Sequence, residues 1–361
     1  MDKTIPAPAS SALGVIQKGV GGLYTVATDG GEIITCPARG KFRHEGECPY
    51  PGDRVAAVCE DGAWAIDSIL ERANRLIRPA VANVTHLVAV IPACRPKPDT
   101  VTADKLIAAA EDKDIVPVIV INKRDLDPAE SARLASIYRR AGFDVFEMSA
   151  ASGEGVDALG EYLAAAGERS KNGNDDAGGE LAGTYESRTP LVVFSGASGA
   201  GNERAGADES KCRPPLVVFS GASGAGKSTL MTRLFPGLKL KTGDVSRKSE
   251  RGRHTTRTAE LFDVGGYYVA DTPGFTMLDF AQFNFIPTEN LAFSFREFLP
   301  YVGKCRYTKC THTKEEGCAI LEAVGAGEIP RERHENYAAI REEMLRTPEW
   351  KRRKRGAFSA Q

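Results

Sequence analysis

The stretch LVVFSGASGAGKSTLMTRLF, residues 216–235, constrains the fold of this chain more than any other segment. An apolar run stops at Gly221, glycines return at 224 and 226, and Lys227-Ser228-Thr229 then opens an amphipathic segment. That pattern reads as strand, glycine loop and helix, and residues 221–228 fit G-x-x-x-x-G-K-[ST]. Glycines let the backbone curl so that several N–H groups point inward, and the helix start adds its positive dipole end. The expected phosphate cradle is Gly221, Ala222, Ser223, Gly224, Ala225, Gly226, Lys227, Ser228 and Thr229. Lys227 would neutralise the outer phosphates and the Ser228 hydroxyl would ligate Mg²⁺.

The same PLVVFSGASGAG also occurs at residues 190–201, ahead of the copy at 215–226. In the earlier copy Asn202 stands in the lysine position and Glu203 in the hydroxyl position. A carboxylate there repels a polyanion, so the earlier copy is read as a duplication inside a surface insertion and not as a second site. The polar, glycine-rich ERSKNGNDDAGGELAGTYESRT at 168–189 reads as a linker.

THLVAVIPA and IVPVIVINK, at 85–93 and 115–123, are continuous apolar runs of the kind buried on both faces of a parallel sheet. TADKLIAAAEDK, PAESARLASIYRRAG and VDALGEYLAAAG read as helices that alternate with them, and FDVFEMSA reads as a third strand. The result is an α/β pattern. Asn122-Lys123-Arg124-Asp125 closes the second apolar run. A carboxylate at Asp125 can accept from N1–H and N2–H of guanine, a donor pair that adenine lacks. Asn122 can brace the loops and the Lys123 stem can lie on the base. Ser149-Ala150 ends the next strand, where a backbone N–H can reach guanine O6, although Ala151 stands where Ser-Ala-Lys is the expected pattern. Asp271-Thr272-Pro273-Gly274 ends YYVA. Asp271 suits the Mg²⁺ shell and the Gly274 N–H suits the γ-phosphate. Between these motifs GRHTTRT, residues 252–258, offers Thr255 and Thr256 as switch ligands, with Thr256 preferred for Mg²⁺. Phe275 occupies the place of a water-orienting glutamine, so His254 is the candidate for that task. His254, Lys227 and Thr256 form the expected catalytic set.

Residues 12–70 hold short strands broken by glycine pairs, with a hairpin turn expected at Asp61-Gly62, which suggests a small β-barrel. The basic loop ARGKFRHEG suits nucleic acid or is an ordinary solvated loop. Cys305, Cys310, His312 and Cys318 supply three thiolates and an imidazole within residues 305–318. This is a closed tetrahedral set for structural Zn²⁺. The remaining cysteines are scattered, as expected in a reducing cytosol. The formal net charge of -1 gives no global nucleic-acid signal. MDKTIPAPASSA lacks the apolar core of a secretory leader, and no apolar run approaches a membrane span. The tail Lys351-Arg352-Arg353-Lys354-Arg355 either touches RNA phosphates or is a solvated end.

In an ordinary GTPase the phosphate loop comes first and NKxD follows. Here NKRD and SA precede GASGAGKS, then GRHTTRT, then DTPG. Together with VGGLYTV, CPARGKFR, PGDRV, NRLIRPAVANV and the C-terminal cysteines, this order resembles the ribosome small subunit-dependent GTPase A (RsgA) family of circularly permuted GTPases. The resemblance spans nearly the whole chain except about residues 168–214. It implies a multidomain protein: an N-terminal OB-fold β-barrel at 1–72, a central α/β circularly permuted P-loop GTPase domain at 73–280, and a C-terminal α-helical zinc-binding domain at 281–361. It further implies a cytoplasmic monomer that binds GTP/GDP, the small (30S) ribosomal subunit and its 16S rRNA, with no membrane partner. Its hydrolysis would be stimulated by the subunit, late in subunit maturation. The competing readings are an RNA-binding module with a regulatory nucleotide site and, from VVFSGASGAGKSTL, a guanylate-kinase-like phosphotransferase, in which NKRD, DTPG and GRHTT have no place.

Overall fold

The computed structural model describes residues 10–42, 47–77, 80–172, 214–238, 259–271 and 286–346. The duplicated loop at 190–203, His254, Thr255, Thr256, Thr272, Pro273, Gly274, Phe275 and the basic tail lie outside the described residues, as do Arg43, His44, Glu45 and Gly46 of the basic loop.

Five strands open the chain: β1 (Ser10–Val20), β2 (Leu23–Thr28), β3 (Ile33–Pro37), β4 (Arg54–Glu60) and β5 (Ala63–Ile69). They pair antiparallel in the order β3-β2-β1-β4-β5. The Ala38–Ile66 bridge runs parallel and joins the two outer strands, so the sheet curls closed. The turn at Asp61-Gly62 falls where the sequence reading expects it. Both residues have positive φ, +52° and +79°, as a tight hairpin turn requires. Ile16, Val26, Cys36, Val55, Ala57 and Ile66 fill the interior. A short ribbon, β6 (Arg75–Leu76) with β7 (Val81–Ala82), leads out of this barrel. At the junction the buried Asp53 carboxylate meets Arg72 Nε at 2.6 Å, and Asn83 Nδ2 donates to Gly52 O at 2.8 Å.

The next strands are β8 (His86–Pro92), β9 (Val116–Asn122) and β10 (Asp144–Glu147). After them come β11 (Leu216–Gly221), β12 (Glu260–Asp263) and β13 (Tyr268–Asp271). They form one six-stranded sheet in the order β10-β9-β8-β11-β13-β12, in which only β12 is antiparallel to its neighbour. The apolar runs are continuous because both faces are covered. Leu87, Ala89 and Ile91 face one core, and Val88 and Val90 face the other. Helices α1 (Thr100–Glu111) and α2 (Pro128–Arg140) serve the first face. Helices α3 (Val156–Asn172) and α4 (Lys227–Leu234) serve the second. Asp99 and Asp127 cap α1 and α2 by accepting from Thr102 N and Glu130 N, each at 3.0 Å. The polar linker expected from residue 168 begins instead as helix, since α3 runs to Asn172. Glu168, Arg169 and Lys171 are good helix formers, so α3 continues through them.

From β8 the chain moves outward to β9 and β10, then returns to the other side of β8 as β11. Strand order therefore reverses between β8 and β11, which places a crevice beyond their carboxyl ends.

The C-terminal segment consists of 3₁₀ turns at Thr288–Ser294 and Arg296–Phe298, then α5 (Ala319–Gly325) and α6 (Arg331–Arg346). Its apolar side is continuous with the first sheet core: Phe295, Phe298, Tyr337 and Ile340 cluster with Ala103, Leu106 and Tyr138. At the centre Arg333, 1% exposed, lies 2.5 Å from Asp104 Oδ1 and donates Nε to Glu297 at 2.6 Å. Tyr138 OH and Asn336 Nδ2 donate to the two Asp104 oxygens at 3.0 and 2.7 Å. Burial pushes the Asp104 carboxyl up, while the Arg333 charge acts in the opposite direction. Arg333→Ala would leave Asp104 and Glu297 buried without their cation. Urea unfolding of that variant is expected to show a loss of about 3–5 kcal/mol.

Candidate nucleotide and metal sites

Three neighbouring strand ends bring the motifs together. Gly221 pairs with Val90 and Asn122 with Pro92, so β11, β8 and β9 stop side by side. Asn122, 1% exposed, faces the phosphate loop. Its Nδ2 donates to Ala225 O at 2.8 Å. Its Oδ1 accepts from Lys123 N at 2.8 Å and from Ala150 N at 2.9 Å. One amide side chain thus ties the loop at 221–229, NKRD and Ser149-Ala150 to one another. The close approach needs glycine at 226, whose φ is +90° and where a Cβ would sit 2.3 Å from Asn122 Nδ2.

Lys227 begins α4 and is half-buried, whereas Ser228, Thr229, Ser223 and Gly224 are exposed along the crevice, with Ala222 half-buried and Ala225 buried. The first N–H groups of a helix have no intrahelical acceptor, so the start of α4 offers donors where the loop opens. Asp125 is exposed beyond β9, and Lys123, at φ +67°, directs its ammonium to the Arg95 carbonyl. Ser149 is buried, and its carbonyl accepts from Gly153 N at 2.8 Å. The sequence reading placed a backbone N–H for guanine O6 where Ser149-Ala150 ends the strand; of the amides there, that of Ala150 is engaged by Asn122. Asp271 ends β13, which runs parallel beside β11, one strand from the phosphate loop.

Arg233 escaped the sequence reading. From the last turn of α4 it donates Nε to Ala150 O at 3.0 Å and Nη2 to Ala151 O at 2.6 Å. In sequence it looks like an ordinary cation at a helix C-terminus, and only the packed structure shows its target.

Cys305, Cys310, His312 and Cys318 gather with all four donor atoms within 4.8 Å of one another. Cys305 Sγ stands 3.8 Å from Cys318 Sγ, and His312 Nδ1 lies 3.5 and 3.6 Å from those sulfurs. A tetrahedral ion with bonds of about 2.3 Å to sulfur and about 2.0 Å to nitrogen sets two sulfurs about 3.8 Å apart and a sulfur and nitrogen about 3.5 Å apart. The donor set and its spacing therefore fit such an ion. Burial pushes the Cys310 thiol up to about 12, with the neighbouring thiols adding to the shift. The loop is braced from outside the ligand set. His334 Nε2 meets the His312 carbonyl at 2.7 Å, and Tyr337 OH donates to Thr311 O at 3.0 Å. Burial of Glu315 opposes its charge, yet donors from Thr311, Thr313 and Lys314 hold its carboxyl well below the usual range. Glu315 was also missed in the sequence, where it reads as one more surface acid.

A sheet of this order, with the phosphate loop entered after the base motif, defines a circularly permuted P-loop GTPase. A family model described as RsgA GTPase matches residues 69–168 and 180–281, and one described as RsgA N-terminal domain matches 13–65. The chain is 35% identical over 347 residues to the small ribosomal subunit biogenesis GTPase RsgA of Ruminiclostridium cellulolyticum, covering 95% of this chain and 97% of that one. It is 37% identical over 339 residues to the protein of the same name from Geobacillus kaustophilus, with 92% and 97% covered. Among solved structures, YjeQ from Thermotoga maritima superposes with TM-score 0.69 at 29% identity, over 94% of this chain and all (100%) of that one. YloQ, described as a circularly permuted GTPase, gives TM-score 0.66 at 27% identity, over 94% and 97%. The chain belongs to the RsgA family.

Gly226→Ala forces Asn122 away from Ala225. GDP affinity measured by calorimetric titration is expected to fall at least about tenfold, from strain on the order of 1–3 kcal/mol, with the circular dichroism of the fold retained. For the metal cluster, elemental analysis should find one ion per chain, lost in Cys318→Ala. Because the ion must displace thiol protons, uptake should weaken as pH falls, and buffer-matched calorimetry should detect proton release.

Proposed function

We propose that this protein is a GTP hydrolase that binds the small (30S) ribosomal subunit and acts in its late maturation, with hydrolysis stimulated by the subunit and coupled to release. The observation that carries the nucleotide half of this reading is the Asn122 bridge between Ala225 and Ala150. It leaves the phosphate loop and the base loop to act on one bound molecule. The names of the family relatives support the ribosomal half.

Asp125 selects guanine and Lys123 covers the base. Lys227 and the amides of 221–229 hold the phosphates. The Ser228 and Thr256 hydroxyls and the Asp271 carboxylate would hold Mg²⁺, which would supply neutralising charge to the phosphates. Thr255 and Gly274 complete the switch side, and His254 orients the attacking water in place of the glutamine that Phe275 supplants. The cysteine and histidine set would hold one structural zinc ion, for which three thiolates and an imidazole with no open position are suited. The closed five-stranded sheet is an OB-fold, in keeping with its β3-β2-β1-β4-β5 order and parallel closure. Together with the zinc segment it grips 16S rRNA. The protein works as a cytoplasmic monomer.

GTP turnover measured with and without purified small subunits tests this assignment. Stimulation is expected in the wild type, and a fall of about a hundredfold in Lys227→Ala. Absence of stimulation would favour an RNA-binding module with a regulatory nucleotide site. Asp125→Asn replaces one acceptor with a donor, so it should lose GTP by roughly a hundredfold or more and gain xanthosine triphosphate, whose O2 accepts where guanine N2 donates. His254→Ala should keep near-normal GTP affinity while stimulated turnover falls by about 10²- to 10⁴-fold.

A further inference from the structure

The base loop raises a question of supply. With the Ala150 N–H committed to Asn122 Oδ1, another donor must meet the carbonyl edge of a guanine. The next amide is that of Ala151, which makes no hydrogen bond among the described residues. A trans peptide is planar, and its C=O and N–H point in opposite directions. Arg233 Nε holds the Ala150 carbonyl, the partner of the Ala151 N–H in one peptide plane. Arg233 Nη2 holds the Ala151 carbonyl in the next plane. The guanidinium therefore fixes two consecutive peptide planes and turns the Ala151 N–H away from α4.

The loop is shaped to receive this side chain. Gly153, at φ +95°, lies against the guanidinium, and a Cβ there would come 2.7 Å from Arg233 Nη1. Arg233 is also anchored at a defined distance from the glycine loop, six residues beyond Lys227 on the same helix. At Ala151, where Ser-Ala-Lys would place a lysine on the loop itself, this chain has no cationic side chain, and a cation arrives from α4 instead.

We propose that Arg233 is a positioning residue for base recognition: by gripping the Ala150 and Ala151 carbonyls it aims the Ala151 N–H at O6 of a bound guanine. An N–H aimed there accepts a 6-oxo purine and opposes adenine, whose 6-amino group also donates. Arg233 touches neither base nor phosphate and acts through the peptide it holds. The proposal rests on the guanine-nucleotide reading of the pocket.

The experiment compares Arg233→Ala and Arg233→Lys with wild type in the full chain. Dissociation constants are measured for GDP, inosine diphosphate and ADP, together with hydrogen exchange at residues 150–153 and nucleotide-free thermal stability. In Arg233→Ala, GDP and inosine diphosphate should both weaken by roughly tenfold, the scale of losing charge-assisted hydrogen bonds. ADP should be unchanged, so the GDP-to-ADP preference narrows by the same factor, and amides 150–153 should exchange faster. Arg233→Lys keeps one cationic donor and should fall between the two. An unchanged GDP-to-ADP preference in Arg233→Ala overturns the proposal, whatever happens to thermal stability. If Arg233→Ala does not fold, an Arg233→Lys protein with wild-type preference and wild-type exchange at 150–153 overturns it equally. A wild type that does not prefer GDP to ADP would overturn the guanine reading itself, and the exchange comparison would still report whether Arg233 holds the loop.

Discussion

Asn122 is almost fully buried, and the arrangement of the site follows from how its amide makes its three hydrogen bonds. A buried amide must satisfy its hydrogen-bonding groups or lose the desolvation energy of each one left over. Here the donor goes to Ala225 O and the acceptor to the amides of Lys123 and Ala150. Three segments far apart in the chain therefore cannot move independently without orphaning a buried group. The glycine at 226 belongs to the same constraint, because nothing larger fits against the Asn122 nitrogen. Arg233 adds a second tie between α4 and the base loop at its solvent-facing side. The phosphate-loop and Asn-Lys-x-Asp segments are thereby built on one rigid frame.

The metal cluster is held into the molecule by the same economy of buried polar groups. Helix α6 presents Arg333 and Asn336 to Asp104 of α1, and His334 and Tyr337 to the carbonyls of the cysteine loop. Four neighbouring residues of one helix thus look in two directions. The C-terminal segment shares its apolar core with the sheet, so the cluster hangs from the nucleotide-binding layer and not from a core of its own. The domain division drawn from motifs and the packing unit formed by side chains are different things here. Loop spacing reveals the first, while the second depends on which apolar faces meet.

Much of the site was legible in the sequence because its chemistry is local. A glycine loop with Lys227 and Ser228, an Asn-Lys-x-Asp at the end of an apolar run, and three cysteines beside a histidine each require particular residue types at fixed spacing. What escaped was contributed by residues with unspecialised sequence contexts. Arg233 sits where a helix end ordinarily carries a cation, and Glu315 sits in a polar loop where acids are common. Ser149-Ala150 was read as the end of a strand with a backbone N–H free for a base, but the Ala150 N–H is engaged by Asn122. A strand pattern gives the loop its address without telling which way each peptide faces. The extension of α3 into the polar stretch after 167 reflects the same limit, since glutamate, arginine and lysine suit a helix and a linker alike.

The sequence by itself determined that a G-x-x-x-x-G-K-S loop, an Asn-Lys-x-Asp and a set of three cysteines and a histidine exist, and that the first two come in rotated order. These are covalent facts about which donors and acceptors the chain carries and how few bonds separate them. Only the tertiary structure decided that β11 inserts beside β8, so that the rotated order rebuilds one crevice. It also decided that Asn122 and Arg233 spend their hydrogen bonds across that crevice and that α6 joins the metal loop to α1. Those choices depend on long-range burial, which removes water as the competing partner and leaves each polar group the neighbours that packing supplies.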